Sequence, residues 1–134
     1  MEKVLVLLRT LQLYGQNAHN LAKGKSFFAD HDAMADFYSA AAADYDMVVE
    51  RMIGCDMEVD LVKVHKNVCG YLEKLPHNVE NEKALEYIMA LEKKLCAEVE
   101  KECKKSVSEG TRQLIGEVAN KSESRQYKMK QRLK

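Results

Sequence analysis

Along the first twenty residues the apolar positions Val4, Leu8, Leu11, Tyr14 or Gly15, Ala18 and Leu21 recur at steps of three or four. That spacing is one face of a helix and predicts one over residues 2–22. The segment Lys23–Ser26 reads as a tight connection, with Gly24 as its left-handed stop. A second pattern, Met34, Phe37, Ala41, Tyr45, Val48 and Met52, predicts a helix from about Asp30 to about Ile53, ended by Gly54. Between Gly54 and Pro76 a shorter amphipathic stretch sets Val59, Val62, Cys69 and Leu72 against Lys63, Lys66 and Glu73. Asn78 reads as the N-cap of a third long helix, with Glu80 and Glu82 in the first turn, where the helix dipole favours acids. Its stripe is Leu85, Ile88, Leu95, Val99 and Cys103, and its end falls near Lys105. Ser106 and Glu109 have capping-box form for a fourth helix carrying Leu114, Ile115, Val118, Ser122, Met129 and Leu133.

Two tightly joined helices, a long crossover with its own short helix, and two more tightly joined helices make an all-α, ferritin-like four-helix bundle. Composition agrees with that reading. A chain of 134 residues fits one domain, 1–134, and one Pro with 6 Gly leaves little material for hairpins. The charge balance of 21 basic against 21 acidic residues excludes a global pull toward nucleic acid or an anionic membrane. The apolar run Val4–Leu8 is broken by Arg9, is too short to span a bilayer and lacks a small-residue cleavage site, so neither a signal peptide nor a transmembrane segment is expected. Cys55, Cys69, Cys96 and Cys103 form no CxxC pair. They read as small buried hydrophobes in a reducing, cytoplasmic compartment.

The candidate chemistry lies around the first turn and along the second helix. His19 falls about six residues before the middle of the Gly24 turn and His31 about six after it, so an antiparallel helix pair sets them at one height. Asp46 and Glu50, four residues apart, share a helix face one turn apart. Two imidazoles and two carboxylates suit iron or another borderline divalent metal. His31 and Asp46 are nonetheless separated by about 22 Å along one helix at 1.5 Å per residue, so one chain cannot close the site. A second copy packing its second helix antiparallel across a twofold axis near residues 38–40 would bring His31 of one chain to Asp46 and Glu50 of the other. The small run Ser39 and Ala40 to Ala43 would permit that approach, although helix propensity alone also accounts for it. Each ligand has an ordinary alternative: His19 as a capping or surface histidine, Asp46 and Glu50 as a solvated face beside Arg51.

The run from His19 through Gly24, Phe27 and Phe28 to His31, continuing to Asp46, Glu50 and Arg51, resembles the Dps-type mini-ferritins, the DNA-protection proteins of starved cells. The similarity is strongest from Leu7 to Ile53 and weak after Gly70. The resemblance implies a hollow shell of twelve subunits that binds Fe(II) between subunits, oxidises it with hydrogen peroxide and stores ferric iron, protecting the cell from oxidative damage. His19 and His31 would be ligands from one subunit and Asp46 and Glu50 from its twofold mate, together the catalytic and metal-binding set.

Two departures from that family pattern stand out. Members of the family carry an Asp four residues after the second His, where this chain has Ala35; Asp36, about 100° farther round the helix, is the substitute candidate ligand. Acidic residues of the family's threefold pore are replaced by Ser108 and Gln113, leaving Glu109. These departures make a structural or DNA-coating shell with a decayed iron site the rival reading, followed by a plain helical interaction module. For DNA itself, the basic N-terminal extension of some members is missing, and the cationic tail Lys121, Arg125, Lys128, Lys130, Arg132 and Lys134 is what could touch phosphates. The competing explanation for that tail is a helix end whose cations complement the macrodipole. His65 and His77 have no ligand partner at a convincing spacing.

Overall fold

A computed structural model describes residues 1–134. It contains five helices and no strand: α1 (Glu2–Leu21), α2 (Phe27–Gly54), α3 (Leu61–Lys74), α4 (Asn81–Cys103) and α5 (Glu109–Arg132). α1 packs on α2 and α4, α5 packs on α4 and α2, and the crossover lays α3 along the outside of α1. This is the four-helix bundle with a short crossover helix that the apolar pattern predicts. No helix is long and apolar enough to cross a membrane.

The apolar stripes are where the periodicity puts them. Met34, Phe37, Ala41, Tyr45, Val48 and Met52 are buried on α2, and Leu85, Ile88, Leu95 and Val99 on α4. On α1, however, Val4, Leu5, Val6, Leu7 and Leu8 are all buried, because α3 covers the side the bundle leaves open. Each fully buried aliphatic side chain contributes about 1.5–3 kcal/mol, so this coverage is a first-order part of the stability.

Four local expectations are corrected. Asn78 is not a helix cap: it takes a left-handed conformation, φ 55°, which Asn tolerates, and α4 begins three residues later. The side chain of Asn81 instead holds the first turn, accepting from the Lys23 amide at 3.0 Å and donating to the Lys23 carbonyl at 2.8 Å and to Asp30 Oδ2 at 3.0 Å. The cap of α5 is Ser108, whose hydroxyl accepts from the Thr111 amide at 3.1 Å, rather than Ser106. On α3 the buried positions are Val64 and Val68, while Val62 is 67% exposed and Cys69 is exposed. The two buried valines are one turn apart and, with half-buried Tyr71, Leu72 and Leu75, give the longer apolar stripe. Finally, no cysteine is fully buried: Cys55 and Cys69 are exposed, Cys96 and Cys103 half-buried with Cys103 packed against the core, and all four are free.

Candidate metal centre

The turn between α1 and α2 works as the symmetric spacing of its histidines requires. Gly24 sits at φ 85°, a conformation a side chain would strain, and reverses the chain so that His19 and His31 face one another. Their rings stack with centroids 3.6 Å apart and planes 24° from parallel. Nδ1 of His19 lies 2.7 Å from the His31 carbonyl oxygen, and Nδ1 of His31 lies 2.9 Å from the His19 carbonyl oxygen. A carbonyl only accepts, so both Nδ1 atoms carry hydrogen, and in the neutral imidazoles the Nε2 lone pairs are free for a metal. Backbone hydrogen bonds of this kind fix the tautomer and orientation of a ligating histidine. Phe27 extends the stack on the His31 side at 4.8 Å, and the Tyr38 ring meets His19 edge-on at 5.5 Å.

Tyr38 also marks a close approach of the two helices. A Cβ added to Gly15 would lie 3.2 Å from Tyr38 Cβ, so only glycine leaves α1 and α2 this near one another without displacement. The pair is therefore positioned by Gly24 at one end and by Gly15 one turn away.

The remaining candidates stand apart from this pair. Asp36, Asp46 and Glu50 are exposed, and no group of three His, Cys, Asp or Glu side chains within the chain is placed to hold a metal ion. Ser39 and Ala43 are exposed, and Ala40 and Ala42 only half-buried, so small side chains line the outer side of α2 between the histidine and carboxylate ends. His65 and His77 are exposed, with ring nitrogens directed at the Leu61 and Leu72 carbonyls of the crossover helix.

Half of the cationic tail is turned inward. Lys121 pairs with the fully buried Asp44. The Arg125 guanidinium makes a bidentate pair with buried Glu92, Nε to Oε1 at 2.6 Å and Nη2 to Oε2 at 3.0 Å, which the Ser122 hydroxyl joins. Arg132 grips Asp30 through two 2.9 Å bonds and reaches Glu82 at 2.8 Å. Lys128, Lys130 and Lys134 remain exposed. The tail's arginines are structural pins of α5, a role that the macrodipole reading missed. Its sequence signal was Glu92, an acid in core-facing register with Ile88, Leu95 and Val99.

Fold and turn together make an all-α four-helix bundle whose long crossover carries its own short helix. In agreement, the chain resembles the crystal structure of Dps92 from Deinococcus radiodurans with a TM-score of 0.81 at 19% sequence identity, covering 96% of this chain and 80% of that one. No protein-family model matches the sequence, and no curated protein matches it.

Proposed function

We propose that the chain is a subunit of a hollow cytoplasmic homo-oligomer, built from twofold dimers into a shell of twelve, that oxidises Fe(II) with hydrogen peroxide between subunits and stores the ferric product. The observation that carries this reading is the stacked pair His19 and His31, each held through Nδ1 with Nε2 free. Two imidazoles fixed this way offer Nε2 to a metal that also needs anionic partners, and the candidates, Asp46 and Glu50, are exposed on α2 with His31 but beyond reach within one chain. A twofold mate packed head to tail along the small-residue side of α2 would supply them. Iron is the substrate here. Paired ions held by carboxylate and imidazole can pass two electrons to peroxide, giving water without a free hydroxyl radical.

Ala35 favours a second reading, a shell whose iron site has weakened. At that position a carboxylate would add charge and an oxygen ligand on the His31 side of the helix, and Asp36 is turned away from it. One experiment separates the two. Anaerobic Fe(II) followed by hydrogen peroxide should give ferric absorbance with an assembly that elutes near twelve times 15.3 kDa. His31→Ala and Glu50→Ala should each slow that oxidation about tenfold or more. An assembled shell that oxidises Fe(II) with peroxide no faster than protein-free buffer would favour the weakened-site reading, and a monomer in solution would sink both.

A further inference from the structure

Away from the histidines, α1, α3 and α4 enclose an open cleft of about 930 Å³. That lies within the range of about 300–1,000 Å³ typical of small-molecule sites. Its walls carry Lys3, Lys63, Lys66, Lys74 and Lys94 against one carboxylate, Glu2. In a chain with equal numbers of acids and bases this is a strong local segregation of charge, and a concave cationic surface concentrates anions.

The ion pairs sharpen the point. Lys63 is 3.5 Å from Glu2 and Lys3 is 3.3 Å from Glu98, both lysines more than half exposed, so these contacts are weak and easily exchanged. Lys66, Lys74 and Lys94 have no carboxylate partner at all. Lys94 rests over the Tyr71 ring, its Nζ 5.6 Å from the centroid. Tyr87 is a second aromatic wall, with apolar Val6 and Leu91 beside it. Gly70 opens onto empty space: a Cβ there would meet nothing within 4 Å.

We propose that this cleft binds a small, multiply anionic ligand with an aromatic body, of the nucleoside di- or triphosphate class. Ammonium groups bind phosphate oxygens as point charges, and tyrosine rings accept a base by stacking. A bounded concavity suits a small molecule, whereas a duplex presents a long convex phosphate ridge.

The test is metal-free ATP titrated into the assembled full-length chain by calorimetry. Saturable binding that weakens with salt is expected. The triple variant Lys66→Ala, Lys74→Ala, Lys94→Ala should lower affinity about tenfold or more. Gly70→Leu, which gains helix propensity, has open space at its Cβ and narrows the cleft, should lower it similarly while thermal stability is kept. Iron oxidation should be unchanged in both. Absence of saturable binding, or equal affinity in the parent and both variants, would overturn the proposal. Inorganic triphosphate binding as tightly as ATP would overturn the aromatic part, and preferential binding of duplex DNA, lost in the same variants, would overturn the small-ligand assignment.

Discussion

Which atoms of a side chain are already engaged decides what that side chain can still do, and the histidine pair shows it. The symmetric spacing of His19 and His31 about Gly24 was legible in the sequence; that each Nδ1 is spent on the other's carbonyl was not, because it depends on helix rotation within a few tens of degrees. Buried acids were legible only as acids out of place. Glu92 and Arg125 are 1% and 8% exposed, so removing one partner strands a charge in the core. Arg125→Ala is expected to lose about 3–5 kcal/mol in denaturant unfolding, whereas Glu92→Leu combined with Arg125→Met should recover most of it. Tyr14 makes the same point for a neutral group. Burial, reinforced by Tyr87, pushes its phenol up to about 12, and its hydroxyl donates to the Pro76 carbonyl at 2.8 Å. The folded state thus prefers the neutral form, so its stabilisation is complete below the ordinary tyrosine value of about 10 and is lost as pH rises toward 12. Tyr14→Phe should cost about 1 kcal/mol at neutral pH and flatten the loss of stability between about pH 10 and 12, measured by unfolding across that range.

Helices were predicted well where one face is apolar and poorly where two partners compete for the surface. On α2 and α4 the stripe names the buried residues. For α3 the face carrying Val62 is the expectation, and the structure buries that of Val64 and Val68, the longer stripe once Tyr71 and Leu75 are counted with it. Helix starts failed for a related reason: Asn78 and Ser106 are good caps in isolation, but the turn geometry spends Asn78 on a left-handed residue and gives the cap to Ser108. Spacing between elements is the quantity that matters for the site. Gly15→Val pushes branched carbons into Tyr38, so it should destabilise by about 1–3 kcal/mol in thermal or denaturant unfolding and disturb the His19–His31 stack, read as changed imidazole NMR shifts. Unchanged shifts would show that the stack does not depend on this approach.

For the whole molecule the proposed sharing of ligands between subunits makes a prediction no single chain can satisfy. If each site takes histidines from one subunit and carboxylates from the other, a dimer of one His31→Ala chain and one Glu50→Ala chain has one doubly damaged site and one intact site. Random co-assembly of the two slowed variants should then restore the proposed iron oxidation to about one quarter of the parental rate. Failure to restore any activity would place both ligands in one chain's site. By itself the sequence determined the five helices, the turn that pairs His19 with His31, and the impossibility of reaching Asp46 from His31 within one rod. These follow from the rise per residue and the 3.6-residue period, which are local and additive. Tertiary structure alone decided which nitrogen is free, that Arg125 and Arg132 pin α5 inward, and that five lysines meet around one cleft. Those outcomes depend on how separate helices rotate and dock, and no periodicity within any one helix encodes that relation.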